Sequence, residues 1–442
     1  LQVSGKRREE IADLQKLIRL GGAPREMPGW LFRLAELYWE ESQYFFFEAN
    51  RKDDELIRLG EKATAADRER IRREKKDLEE RSRSYQAEAI GQYKDIVRRY
   101  PKYERLDEVL FFLGENLSKQ GRHEEALAAY KILVTRYPKS RYVPDAWMAF
   151  GEYYFNVADR SKRDQNLKNA LKAYQKAASY TESSVYGYAM YKQAWVYYNL
   201  ARWTEALDLF RAVIFFGDLP TSTLASDKKV VLVKEARKDY VRTYSHVGAP
   251  EGARDEFRRV GGEQGWLDML KSLSGLYYDE GKDREAILTY HQLIQERPLS
   301  PESPLFQARI VTCAGRMGRK ELAVQQARVF VKMLRDIDAS KTVTDEKGKK
   351  QLDEARVAAE NTLRTLAVQY HNEYRKTRDE PVAGLAADVY EDYLSVFPDT
   401  FHAYEMRFFF AELLFALEKY QRAGDEYSAI VAADARAADE RR

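Results

Sequence analysis

A small residue followed four positions later by an aromatic one recurs along this chain of 442 residues, and it constrains the fold more than any other feature. Residues four apart lie on one helix face, so an alanine lets a second helix approach closely while the ring fills the space one turn further on. Successive alanines of this pattern are 33 to 47 residues apart, with one longer gap of 63. The pairs are Ala89/Tyr93, Ala126/Tyr130, Ala170/Tyr174, Ala206/Phe210, Ala253/Phe257, Ala286/Tyr290, Ala386/Tyr390 and Ala423/Tyr427, and Ala323 has Ala327 in the aromatic position. Such a period predicts a repeated helical unit.

A second helix and a stop signal accompany several of these pairs. Twelve residues after the alanine stands a proline, which cannot continue a helix, at Pro101, Pro138, Pro298 and Pro398. Twelve residues before it stands another small residue, at Gly114, Ala194, Ser274 and Ala411. The two segments are separated by turn sequences such as Gly121-Arg122-His123. Each unit is therefore predicted to be two antiparallel helices joined by a short turn.

This pattern resembles the tetratricopeptide repeat family over residues 86 to 432, most clearly in residues 110 to 138. The resemblance implies an all-α fold, an α-solenoid of about nine helix-turn-helix repeats forming a right-handed superhelix. It also implies a protein that binds other proteins without catalysing a reaction.

One stretch resembles a narrower group within that family. Residues 124 to 155 are similar to repeats of Gram-negative envelope proteins, namely the Tol-Pal-associated coordinator of cell division and the lipoprotein of the outer-membrane β-barrel assembly machine. The shared features are Tyr137-Pro138, Ser140, Tyr142 and Asp145-Ala146. The Arg- and Glu-rich style also resembles motility scaffolds of gliding deltaproteobacteria.

The domain organisation follows from where the repeat is interrupted. The predicted segments are an N-terminal helical lead-in at 1–27, a first repeat-like unit at 28–101 with a long charged helical insertion at 51–84, a repeat array at 102–337, a flexible loop at 338–351 and C-terminal repeats at 352–442. In the insertion, apolar residues recur only at Ile71, Leu78 and Tyr85. This narrow stripe fits either a coiled-coil contact with a partner or a solvated helical extension supported by ion pairs.

Composition excludes several classes of protein. The 74 basic and 71 acidic residues balance to a net charge of +3, which argues against a nucleic-acid partner. One cysteine, Cys313, permits no internal disulfide. No apolar run is long enough to cross a membrane. The sequence leaves open an export signal or a lipid anchor outside it.

No constellation of residues predicts catalysis, a cofactor or a metal. The five histidines, His123, His246, His291, His371 and His402, show no paired ligand spacing. No phosphate-binding glycine loop is present, and Cys313 fits a small buried thiol better than a nucleophile.

The best candidates for a binding site are aromatic residues on the first helix of each unit, in the positions that line the groove in the resembled family. They are Phe111, Phe155, Tyr191, Trp195, Tyr198, Tyr278, Phe408 and Phe415. Such rings offer a large, rigid contact area, although they could equally pack against neighbouring helices. The equivalent inner positions of the clearest repeats hold Phe111 with Glu115, Met148 with Glu152, and Tyr191 with Trp195, rather than the Lys and Asn of a clamp for a C-terminal carboxylate.

The resulting functional hypothesis is a non-enzymatic scaffold in a bacterial cell-envelope complex, for motility, transport or outer-membrane assembly. We expect it in the periplasm or at the outer membrane, with protein partners bound through the groove or the charged helical extension. A cytoplasmic adaptor and a peptidoglycan- or glycan-binding envelope protein are the alternatives.

Overall fold

The computed structural model describes residues 2–21, 24–60, 63–157, 162–219 and 226–439, and the regular structure in these ranges is helical throughout. The α-helices are α1 (Gln2–Arg19), α2 (Met27–Leu59), α3 (Ala65–Arg99), α4 (Leu106–Lys119), α5 (His123–Arg136), α6 (Val143–Asn156), α7 (Arg163–Ala177), α8 (Tyr186–Asn199), α9 (Trp203–Asp218), α10 (Ser226–Val247), α11 (Ala253–Asp279), α12 (Asp283–Glu296), α13 (Ser303–Arg316), α14 (Lys320–Ser340), α15 (Glu346–Thr377), α16 (Glu380–Val396), α17 (Ala403–Ala416) and α18 (Tyr420–Asp439).

The chain divides into two compact units. Unit 1 holds residues 1–202 and 219–229, and unit 2 holds residues 203–218 and 230–442. In unit 1 the helices pair as α2 with α3, α4 with α5, and α6 with α7, and α8 follows. In unit 2, α13 pairs with α14, α15 with α16, and α17 with α18, while α11 packs against α12. The prediction of an all-α solenoid of helical hairpins is confirmed.

Helix α11 is broken in its middle, and its two parts belong to two neighbouring hairpins. Gly262 has φ 60° and ψ −177°, far from helical values, and it separates two helical stretches. The stretch before it packs against α10, where Tyr240 and Tyr244 meet the ring of Phe257 edge-on. A positive φ is tolerated here because glycine has no Cβ.

The recurring alanine and aromatic residues form the core, as the pattern predicts. Ala126 is 2% exposed and Tyr130 is 1% exposed, and Ala170 and Tyr174 are completely buried. In α4 and α6, the first helices of two pairs, a glycine lies directly under the ring. A Cβ on Gly114 would lie 2.5 Å from a ring carbon of Tyr130, and one on Gly151 would lie 2.3 Å from Tyr174. The two helices therefore approach as closely as they do only because these residues lack a side chain.

The turns within the hairpins repeat one geometry. Gly121 has φ 75°, and the next amide, of Arg122, donates back to the carbonyl of Leu117 at 2.9 Å. Gly281 and Gly318 adopt the same left-handed conformation in their turns. This arrangement satisfies carbonyls at the end of the first helix while it reverses the chain.

The charged insertion at 51–84 is not a separate element, because α2 and α3 run through it as one long antiparallel hairpin. Its narrow apolar stripe faces α2: Ile71 is 2% exposed, and the Tyr85 ring stacks on Phe45 with centroids 5.7 Å apart. Ion pairs add to this contact, with Lys52 Nζ 2.6 Å from Glu74. The stripe therefore makes a coiled-coil-like contact within the chain, and i,i+4 ion pairs such as Arg73 with Glu69 cover the outside.

Helix α1, in the predicted N-terminal lead-in, is held to α2 by a buried carboxylate. Glu41 has a side-chain exposure of 0%, and it accepts hydrogen bonds from Ser4, Arg7 and Arg8 at 2.7 to 2.8 Å. Burial raises the pKa of Glu41, but the three hydrogen bonds outweigh burial and leave the pKa below its usual value.

The predicted bounds of the flexible loop, 338–351, are too wide. Helix α14 continues to Ser340 and α15 begins at Glu346, so the connection spans only residues 341–345. The sequence suggested a loop because it is polar throughout. Asp345, however, caps α15 by accepting a hydrogen bond from the amide of Gly348 at 2.8 Å, and the polar residues that follow lie mostly on its solvent side.

The close approach of α4 and α5 can be tested at Gly114. We expect Gly114→Ala to lower the free energy of unfolding by about 1–3 kcal/mol, because the added methyl group overlaps the Tyr130 ring. The matched control is Gly91→Ala in α3, where no atom lies within 4 Å of a new Cβ. That change should stabilise the protein by about 0.4–1 kcal/mol. Thermal unfolding followed by circular dichroism measures both, and equal melting temperatures for the two variants would refute this packing.

Candidate protein-binding face

Helices α4, α6 and α8 lie in sequence along one side of unit 1. The Tyr142 hydroxyl, just before α6, donates to Glu108 of α4 at 2.7 Å. Glu152 of α6 pairs with Lys192 of α8 at 2.9 Å. We call the surface that these helices share the inner face of unit 1, and it carries Phe111, Glu115, Asp145, Met148, Glu152, Phe155, Tyr191, Trp195 and Tyr198.

Two of the predicted binding residues on this face are mainly packing residues. Phe111 stacks on Tyr142 with centroids 4.6 Å apart and an angle of 15° between the rings. Phe155 packs against the small cluster that contains Tyr174 of α7, and Lys192 of α8, in the next hairpin, lies 5.8 Å from its ring centre. Both rings thus fasten neighbouring hairpins together, which was the alternative open from the sequence.

The three predicted residues of α8 form a group. Tyr191, Trp195 and Tyr198 are all half-buried, and the rings of Trp195 and Tyr198 meet edge-on with centroids 5.2 Å apart. One part of each ring is held by its surroundings and another part faces solvent. Rings held in this way present apolar area with little loss of conformational freedom on binding.

The other three predicted residues belong to unit 2. Two guanidinium groups lie over the ring of Tyr278, with Arg316 4.3 Å and Arg309 5.2 Å from its centre. Cation–π contacts of this kind hold the ring in place. Phe408 and Phe415, both on α17, are 42% and 58% exposed. The structure therefore places the predicted residues in separate groups on two units.

Acidic side chains accompany the rings of the inner face, and sequence analysis did not predict a role for them. Asp145 is half-buried, and no other described residue donates a hydrogen bond or forms an ion pair with its carboxylate. Burial and the nearby charge of Glu115 both raise the pKa of Asp145. Among the described residues, the one cation within 4 Å of the Glu115 carboxylate is Lys119, at 3.9 Å. The repeat pattern in the sequence places Glu115 and Glu152 in equivalent positions. The burial of Asp145, in contrast, depends on the packing of α4 against α6.

Two further observations bear on chemistry. Burial raises the pKa of the Cys313 thiol to about 12, so this residue is not an activated nucleophile. In the described ranges, no three His, Cys, Asp or Glu side chains are grouped as metal ligands. Over the same residues, no helix is both long and apolar enough to span a bilayer.

The unpaired carboxylate of Asp145 gives a prediction about stability and pH. A raised pKa in the folded state means that the ionised carboxylate destabilises the fold above that pKa, and that the effect disappears as the pH falls and Asp145 is protonated. We expect Asp145→Asn to stabilise the protein at pH 7 by roughly 0.5 kcal/mol, the size found for like-charge pairs on helices. Urea unfolding at pH 7 and pH 4 measures this.

The matched control for this change is Asp425→Asn, at an exposed position of α18. It should leave stability unchanged at both pH values. A loss of stability in Asp145→Asn at pH 7 would mean that the carboxylate is paired after all.

Comparisons with known proteins agree with the repeat pattern. Residues 108–140 and 188–214 match the model of the tetratricopeptide repeat family. No curated protein matches the sequence.

Solved structures that are similar to this chain include the following three. A tetratricopeptide repeat protein from Parabacteroides merdae is 16% identical with a TM-score of 0.30, over 62% of this chain and 94% of that one. The C-terminal part of a repeat-containing protein from Cytophaga hutchinsonii is 13% identical with a TM-score of 0.31, over 67% of this chain and 98% of that one. The assembly chaperone of RpL4 is 13% identical with a TM-score of 0.24, over 72% of this chain and 99% of that one.

Proposed function

Because the chain contains tetratricopeptide repeats, we propose that it is a non-enzymatic scaffold that binds a segment of another protein along the inner face of unit 1. The observation that carries this proposal is the group formed by Tyr191, Trp195 and Tyr198. These rings are fixed by their surroundings, yet part of each remains accessible on a face where α4, α6 and α8 lie side by side.

The energetics favour a protein segment as the ligand. A few large aromatic residues carry most of the binding energy in protein interfaces, above all where their surroundings hold them in place. Stacked hairpins supply that support, since each hairpin buries its core against its neighbours and leaves one face free. Phe111 and Phe155 contribute by fastening the hairpins that hold the face in shape.

We further propose that the scaffold works in a bacterial cell-envelope complex, in motility, transport or outer-membrane assembly. Support for this location comes from the resemblance of residues 124 to 155 to envelope repeats. The residues of that motif have structural roles here: Tyr142 joins Phe111 to Glu108, and Ser140 accepts a hydrogen bond from the Tyr142 amide.

Substitution of Trp195 tests the binding face. The purified chain, Trp195→Ala and the control Phe47→Ala are each used to capture proteins from native cell extract, followed by mass spectrometry. Phe47 is a suitable control because it is 60% exposed on α2, outside the inner face. We expect a set of proteins to be lost with Trp195→Ala, by roughly ten-fold or more as for an interface hot spot, and kept with Phe47→Ala. Equal capture by all three forms would move binding to another surface, such as the α2–α3 hairpin.

Cell fractionation tests the location separately. We expect the native protein in the periplasmic or outer-membrane fraction of its source cells. Recovery in the cytoplasm alone would contradict the envelope proposal and favour a cytoplasmic adaptor, without affecting the binding face.

A further inference from the structure

We propose that a cavity between α4, α5 and α6 accepts the side chain of a lysine or arginine from the bound segment. Unit 1 would then select partners in which a basic residue stands close to large apolar ones. This inference rests on the proposed function, since it names the chemistry of the segment that the inner face binds.

The cavity has a volume of about 350 Å³ and opens beside the inner face. Glu115 and Ser118 of α4 form one wall, Glu152 and Asn156 of α6 form the opposite wall, and Tyr130 of α5 contributes to the lining. Its volume lies at the lower end of the range of small-ligand pockets, so it is large enough for one long side chain.

The Tyr130 hydroxyl is an unused hydrogen-bonding group in this lining. Tyr130 is 1% exposed, and no described residue forms a hydrogen bond with its hydroxyl, whose electrostatic neighbours are Glu115 and Asp145. Tyrosines in equivalent positions do have partners: the Tyr174 hydroxyl donates to Glu152 at 2.8 Å, and that of Tyr427 donates to Glu412 at 2.6 Å. The hydroxyl borders the cavity, so a donor or acceptor of a bound segment can reach it.

The charges around the cavity are unbalanced. Glu152 already has Lys192 and the Tyr174 hydroxyl as partners. Glu115 and Asp145 have no comparable cation: Lys119, the nearest one to Glu115, lies 4.1 Å above the ring of Trp39 and is shared with that ring. Of the two lining carboxylates, Glu115 is therefore the one that can accept a cation from a partner.

A basic side chain fits this site better than other ligand chemistries. An anion would be repelled by Glu115 and Glu152, the carboxylates of the lining, and an apolar group would leave Glu115 and the Tyr130 hydroxyl unpaired. An ammonium or guanidinium group donates several hydrogen bonds at once, so it can bind the Glu115 carboxylate and the Tyr130 oxygen together. The neighbouring rings of α8 would take up apolar residues of the same segment.

A peptide selection tests the inference with the full chain. A phage library of random 12-residue peptides is selected on the immobilised protein, and enriched sequences are synthesised with a fluorescent label for anisotropy measurements. We expect Lys or Arg beside aromatic or aliphatic residues, and roughly ten-fold weaker binding when that basic residue becomes Gln, the size expected for hydrogen bonds to a charged group. Glu115→Gln should weaken the parent peptide equally, and Tyr130→Phe should weaken it a few-fold.

The control variant is Glu124→Gln, which makes the same charge change at an exposed position of α5 outside the cavity lining. It should bind like the parent. Peptides that need Trp195 but show no basic preference, or that bind Glu115→Gln as tightly as the parent, would overturn the cavity inference and leave the scaffold function standing. A selection that enriches no peptide would overturn both.

Discussion

The contact between a tyrosine of one helix and a glycine of the preceding one determines much of unit 1. The rings of Tyr130 and Tyr174 cross directly over Gly114 and Gly151, where any side chain would overlap them. Because these two glycines lack a side chain, the two helices of both hairpins approach closely. The tyrosine hydroxyl groups thereby reach the opposite side of the first helix. The same contact that builds the core therefore delivers polar atoms to the inner face, where Tyr174 meets Glu152 and Tyr130 meets the cavity.

This geometry divides the aromatic residues into two groups with different roles. Phe111 and Phe155 lie between successive hairpins and fix their spacing. Tyr191, Trp195 and Tyr198 stand on a helix whose position those contacts set, and part of each ring stays accessible. A face with this division can remain rigid while it binds, because the residues that maintain its shape are not those that meet the ligand.

The sequence predicted the fold well because the hairpin is a local structure. The spacing of Ala126, Tyr130 and Gly114 reflects contacts within about 20 residues, and such contacts leave a periodic trace. The site was harder to predict. Phe111 and Tyr278 have the right register for a groove, but Tyr142 and the arginines of α13 cover them, and those contacts join neighbouring hairpins. The isolation of Asp145 likewise follows from packing and has no sequence signature. In the α2–α3 hairpin, the sequence predicted a charged helical insertion but not that α2 and α3 themselves run through it.

The α2–α3 hairpin is also much longer than the other hairpins of unit 1. Helix α3 has 35 residues and α4 has 14, so at 1.5 Å per residue the hairpin is about 30 Å longer than the hairpin beside it. The overhang is stiffened by ion pairs on its outside, such as Arg73 with Glu69, and by Ile71 and Tyr85 within. Ile57, close to its end, is 76% exposed. Unit 1 thus combines a short stack of hairpins with a rigid arm, and the arm extends the reach of the protein well past the ends of the neighbouring helices.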